Sequence, residues 1–147
     1  GTELLTRLKK ALVDKDTETA LPMTTSCSPG WVKFIEHKYP EYLPNVSTRK
    51  SPQQMFGALA KTYYAQKKGL KAENIVSVSI MPCTAKKYEA NRPEMRDSGY
   101  QDVDYVLTTR ELAGMIRQAG LDFASLEKEN YDSIMGKSTG AAVIFGS

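Results

Sequence analysis

With 147 residues, 41% of them hydrophobic and no low-complexity stretch, the chain is long enough to bury the core of one globular domain. Twenty Lys and Arg against 17 Asp and Glu leave a net charge of +3, too even a mixture to argue for nucleic acid or an anionic membrane. No run approaches the roughly 18 apolar residues of a membrane span, and the opening GTELLTRLKK has no leader pattern, so a soluble, cytoplasmic protein is expected.

The first predicted element is an amphipathic helix from Thr2 to Val13, with Leu4, Leu5, Leu8, Ala11 and Leu12 on one face. A polar loop, DKDTET, leads to LPMTTSC, read as a short strand that stops at Ser28-Pro29. Ser28 suits an N-cap and Pro29 the first helical position, because proline has no N–H to lose there; a helix to about Tyr39 should follow. Ser51-Pro52 repeats the device and opens the longest helical pattern, through Met55, Phe56, Leu59, Ala60 and Tyr63 to Gly69. IVSVSI, residues 75–80, is the clearest strand, and VDYVL, residues 103–107, the second. Thr108 with Glu111 makes a capping box for a helix ending at Gly120, and AAVIF near the end reads as a last strand.

Strands alternating with helices predict an α/β fold with a largely parallel sheet flanked by helices, whose ligands sit beyond the carboxyl ends of the strands. Cys27 ends one predicted strand and Cys83 follows another, so two sequence-distant thiols can meet on one rim. Two cysteines make no disulfide framework; in a chain without an export signal they are expected to be reduced, metal-bound or reactive. His37 lies in the polar context KFIEHKYPEY and reads as a surface residue, and Tyr63-Tyr64 as packing.

TSCSPGW (25–31) and MPCTAKKYE (81–89) resemble the first two of the three signature motifs of iron-only (FeFe) hydrogenases. The likeness continues in order through KSPQQMFGALAKTYY (50–64), DVDYVLTTRELAGMI (102–116) and STGAAVIFG (138–146). It implies one lobe of the catalytic domain, with residues 1–147 forming a partial domain that holds two motifs and lacks the third. It also implies the family's cofactor, the H-cluster: a 4Fe-4S cluster joined through a cysteine sulfur to a two-iron unit carrying carbon monoxide, cyanide and a dithiolate. A cubane needs four thiolates, since soft sulfur matches iron and the anions offset its charge. With two cysteines, the isolated chain is expected to hold no such cofactor and to be inactive.

By the resemblance, Cys83 is a cluster ligand, and Cys27 falls on a proton-relay position with Ser28 on the adjacent ligand position. A serine oxygen is a harder, poorer iron ligand than a thiolate, so Ser28 ligates weakly, Cys27 takes over ligation, or the site is altered; read without the family, Ser28 is a plain helix N-cap. The resemblance also puts Glu3, Ser47 and Arg7 on the proton route, with Glu3 shuttling, Ser47 bridging and Arg7 bordering. Lys86 takes the position whose ammonium contacts a cyanide ligand; without the cluster it reads as a solvated lysine beside Lys87. Ser51, Gln53, Met81 and Phe145 match the lining of the two-iron pocket, and Glu89 matches a structural ion pair or hydrogen bond beneath it.

The implied activity is reversible interconversion of protons and electrons with dihydrogen. The implied partners are the remainder of the catalytic domain and an electron donor such as ferredoxin or an NAD(P)H-linked subunit. A hydrogenase-like iron-sulfur assembly protein is the second reading, favoured by Cys27-Ser28 and opposed by the full MPCTAKKYE motif. An α/β nucleotide-binding module ranks last, because no G-x-G-x-x-G or G-x-x-x-x-G-K run follows a strand.

Overall fold

The computed structural model describes residues 1–132 and 134, so the expected AAVIF strand and Phe145 lie outside the described residues. Helices open where the Ser-Pro pairs place them. Ser28 caps α2 (Pro29–Lys38) by accepting the N–H of Trp31 at 3.4 Å, and Ser51 caps α3 (Pro52–Leu59) by accepting that of Gln54 at 3.4 Å. α3 runs on through a π-helical turn, Ala60–Tyr64, into α4 (Ala65–Lys68). It stops at Gly69, whose φ of 65° is a left-handed conformation open to glycine at little cost. At the amino end, α1 (Thr2–Leu8) likewise continues as a π-helical turn, Lys9–Val13.

The α/β unit is β1 (Val78–Ile80), α5 (Ala85–Ala90) and β2 (Tyr105–Leu107). The two strands pair in parallel with Val78 opposite Tyr105 and Ile80 opposite Leu107, and Met81 N–H extends the ladder to Leu107 O at 2.8 Å. α6 (Thr109–Gln118) follows directly, opened by the expected Thr108–Glu111 capping box.

Both strands are shorter than their sequence patterns. Residues 75–77 leave the ladder because Ser77 N–H donates instead to the Asp104 carboxylate at 2.7 Å, while Ser77 O accepts Asp104 N–H at 3.0 Å. LPMTTSC makes one parallel bridge, Thr24 to Val46, rather than a strand. A β-prone stretch becomes a strand only over the length where a partner meets its backbone.

α3 departs most from expectation. Of the apolar residues in its predicted pattern Ala60 is buried, whereas Phe56, Leu59 and Tyr63 stand about half exposed, and the buried face reads Gln53, Gln54, Gly57, Ala60 and Lys61. Close packing explains the choice: a Cβ on Gly57 would lie 2.4 Å from the Asp102 carbonyl oxygen, so only glycine lets α3 meet residues 102–103. Lys61 then donates to Gln101 O at 2.6 Å and Asp104 Oδ1 at 2.8 Å, which neutralises a buried ammonium. The apolar core beside it is small: Ala90, Val103 and Val106, with Met81 against them. α1 has no buried residue, and Leu5, Leu12, Trp31 and Phe34 are also exposed. A half-exposed Phe or Leu forgoes on the order of 1 kcal/mol of burial free energy, so these faces are suited to covering by further protein.

Candidate functional site

Both thiols sit where strand ends and helix starts place them. Cys83 follows β1 after Met81-Pro82, and Cys27 immediately precedes the cap of α2. Both are free and exposed. Lys86 joins them: its backbone N–H donates to Cys83 O at 3.3 Å, and its Nζ donates to Cys27 O at 2.6 Å. The two motifs, 56 residues apart in sequence, therefore share one rim.

Lys86 is not the solvated lysine expected in the absence of a cluster; its side chain is 12% exposed and ion-paired to Glu89 at 3.2 Å. The physical reason is a buried carboxylate one helical turn on, which offsets the cost of taking an ammonium out of water. An ammonium has three N–H donors. The Cys27 carbonyl takes one at 2.6 Å, and the two Glu89 carboxylate oxygens take the others at the longer distances of 3.2 and 3.4 Å. Glu89 matches its expected structural part, also accepting Ser51 Oγ–H at 2.8 Å and Gln53 Nε2–H at 3.3 Å. Gln53 in turn accepts Ser79 Oγ–H at 2.8 Å. Ser51 and Gln53 thus brace the rim from beneath, and Met81 is held between the β-ladder and the apolar core.

The second cluster lies at α1. Ser47 Oγ donates to Glu3 Oε2; Thr48 N–H at 3.0 Å, Arg7 Nη2 at 2.8 Å and Arg7 Nε at 3.1 Å converge on Glu3 Oε1. The Ser47 hydroxyl first, then Thr48 and the Arg7 guanidinium, pull the Glu3 carboxyl from 4.5 down to about 2 against an opposing burial effect. Arg7 also donates to Pro44 O at 2.7 Å, Val46 O at 3.1 Å and Ala20 O at 3.3 Å. Glu3, Arg7 and Ser47 are therefore brought together as the motif likeness implied, but held in this way Glu3 is a fixed anion. A shuttling carboxyl has a pKa near working pH, so any proton passage here first loosens these bonds.

The two clusters are neighbours. Ser47 N–H donates to Thr24 O at 2.8 Å and Ser26 Oγ donates to Arg49 O, which lays residues 24–26 alongside 45–49 and leads directly to Cys27. A cleft of about 210 Å³ lined by Ser26, Ser47, Ser51 and Glu89 reaches both. It has room for several water molecules at roughly 30 Å³ each. Thr48 was missed in the sequence, although its place beside Ser47 was the available signal.

As a metal site the rim is partial: among the described residues no three His, Cys, Asp or Glu side chains gather in a ligand set. What is present fits an anionic iron complex in kind, with soft thiols for iron and a desolvated ammonium for negative ligands. Ser28 spends its oxygen as the α2 cap, His37 is exposed, and Tyr63 is exposed with the Lys67 ammonium 5.7 Å from its ring centroid rather than packed.

The chain is similar to several known proteins. The subunit HndD of the NADP-reducing hydrogenase of Solidesulfovibrio fructosivorans is 57% identical over 99% of the chain, which spans 25% of that protein. The periplasmic Fe hydrogenase large subunit of Nitratidesulfovibrio vulgaris is 53% identical over 99% of the chain and 34% of that protein. The solved structure of the FeFe-hydrogenase HydA1 of Chlamydomonas reinhardtii superposes with a TM-score of 0.84 at 42% identity, over 96% of this chain and 34% of that one. A cytosolic Fe-S cluster assembly factor, narfl of Xenopus tropicalis, is more distant at 37% identity over 92% of the chain and 29% of that protein. The chain thus spans between a quarter and about a third of the length of these proteins. The profile described as the iron only hydrogenase large subunit, C-terminal domain, matches residues 1–147, and the chain belongs to that family.

Proposed function

We propose that the protein carrying these residues interconverts protons and electrons with dihydrogen, and that residues 1–147 supply one part of its catalytic domain. The observation that carries this reading is the rim itself, where Lys86 bonds the backbone carbonyls of both cysteines, Cys27 at 2.6 Å through its ammonium and Cys83 at 3.3 Å through its N–H, and both cysteines are exposed. Cys83 would ligate a 4Fe-4S cluster and Lys86 would hold an anionic ligand of the attached two-iron unit, which supplies the redox and hydrogen-binding chemistry when bound. Cys27 would take the proton-relay position, one residue beyond the 24–26 segment that lies alongside Ser47. Ser28, the cap of α2, would take the other ligand position, and Phe145, outside the described residues, matches the pocket wall by its motif alone. Ser51, Gln53 and Met81 hold the floor.

The exposed faces of α1, α2 and α3 favour the remainder of the domain as the immediate partner. An electron donor such as ferredoxin or an NAD(P)H-linked subunit would act on the whole protein; the HndD relative is named as NADP-reducing, the N. vulgaris relative as periplasmic. Free thiols favour the cytoplasm as the compartment.

The test is a chimera in which residues 1–147 replace the matching segment of the Chlamydomonas HydA1. It should load iron and evolve hydrogen from a reduced dye, while Cys83→Ala should bring iron retention and turnover down to background. The 147-residue chain given iron and sulfide alone should evolve none. A chimera that folds and takes up iron and sulfide yet turns over no hydrogen would favour the assembly-protein reading instead.

A further inference from the structure

α2 and α5 each carry a thiol just before their amino ends, Cys27 ahead of the Ser28 cap and Cys83 ahead of Thr84. Among the described residues, the apolar core of Ala90, Val103, Val106 and Met81 holds α5 but takes nothing from α2. The cleft of about 210 Å³ instead has Pro29 and Val32 of α2 in one part of its wall and Glu89 and Arg92 in another. Polar rungs join the two helices. Cys27 O accepts the Lys86 ammonium at 2.6 Å, the Lys33 ammonium stands 4.5 Å from the Tyr88 ring centroid, and Glu36 takes both arms of the Arg92 guanidinium at 2.6 and 3.1 Å. These rungs rise in the same order along both segments, so the helices run side by side in one direction, thiols at one end and the Glu36–Arg92 pair at the other.

We propose that Arg92 is a positioning residue: by gripping Glu36 at the far end of the helix pair it fixes how α2 stands against α5, and with that the width of the socket between Cys27 and Cys83. A guanidinium is a rigid planar fork, so two bonds to one carboxylate set angle as well as distance. Arg92 is itself anchored, its Nε donating to Glu94, its backbone N–H to Glu89 O at 3.1 Å, and its guanidinium carbon lying 5.9 Å from the Tyr88 ring centroid. The ring thus has a cation from each segment beside it, Lys33 from α2 and Arg92 from beyond α5. At 18% and 28% side-chain exposure, Arg92 and Glu36 are also less open to solvent screening than the surface pair Lys71–Glu73, at 79% and 53%. That the socket receives an iron complex rests on the reading above; the hold between the helices does not.

The chain has two cysteines, and they report on the socket directly. With a nitroxide on each thiol, the low-temperature electron paramagnetic resonance spectrum should be broadened by dipolar coupling relative to the summed spectra of singly labelled Cys27→Ser and Cys83→Ser chains. Arg92→Met should lose most of that broadening, and Arg92→Lys, which keeps the charge and gives up the fork, should fall between. If Arg92→Met has no cooperative melt, Lys33→Leu, which removes the middle rung at an exposed position, decides in its place. Full broadening in the deciding variant sinks the proposal. In the chimera, iron retained per protein should fall in Arg92→Met and recover part of the way in Arg92→Lys. Equal iron in all three alongside lost broadening would overturn the claim that this hold serves the socket. An unsubstituted chimera that keeps no iron would count against the iron-complex reading, and the broadening would still decide whether Arg92 sets the spacing of the thiols.

Discussion

Glu3 with Arg7 and Glu89 with Lys86 are both carboxylate–cation pairs made within one helix, four and three residues apart, yet they are built for different ends. In the first, every strong donor is spent: Arg7 ties Glu3 to three backbone carbonyls of the 20 and 44–46 segments, and Ser47 and Thr48 close the carboxylate. In the second, the cation meets only two groups, the Cys27 carbonyl at 2.6 Å and the Glu89 carboxylate at 3.2 and 3.4 Å. Short bonds to many partners make a clamp, and longer bonds to few make a lighter hold. Arginine suits the first task because its planar fork serves several acceptors at once, and lysine the second because its ammonium is a compact point charge.

The sharpest way to break this contrast is at Arg7. Arg7→Met leaves Glu3 without its counter-charge and three carbonyls without their donor, and should cost about 3 kcal/mol in urea unfolding. A loss under ~1 kcal/mol would mean that α1 is not clamped. Glu3→Gln is the milder cut, expected to cost about 1–2 kcal/mol at neutral pH after discounting for partial exposure. Its signature is in the pH dependence. A folded carboxyl lowered from 4.5 to about 2 contributes stability that is complete above pH 4.5 and lost as pH falls toward 2. Glu111, held down to about 2 first by Lys87, falls in the same window, so Glu3→Gln should flatten only part of the acid limb of the melting profile. An unaltered limb would show that Glu3 is free in solution.

The smallest effect refines the other region. Next to the fully engaged Gln53, Gln54 is completely buried and neither of its amide atoms finds a partner among the described residues. Gln54→Leu should therefore stabilise the chain by roughly 1 kcal/mol, since it removes an unpaid desolvation. Destabilisation instead would mean that the amide is hydrogen-bonded in solution.

Local chemistry was legible residue by residue. The Ser-Pro starts of α2 and α3, the Thr108–Glu111 box and the glycine stop at Gly69 depend on neighbours within four positions, and each stands as read. The residues singled out by the motif likeness fall in two groups in the fold, Glu3, Arg7 and Ser47 at one place and Cys27, Lys86, Ser51 and Gln53 at another. The pattern along α3 gave the helix but not its full buried side, since Ala60 is buried while Phe56, Leu59 and Tyr63 stay half exposed, because hydrophobic periodicity records which side could be buried, not against what. A glycine-sized approach to Asp102 settled the question.

From the order of its residues alone, this chain carried its helix boundaries, its α/β class and its membership of a hydrogen-enzyme family, because those rest on short-range backbone chemistry and on a specific run of motifs. Only the tertiary structure decided that Lys86 is largely covered, that Ser47, Thr48 and Arg7 converge on the Glu3 carboxylate and that each strand keeps three residues. Each of those outcomes depends on a partner some 27 to 59 residues away, brought into contact by folding.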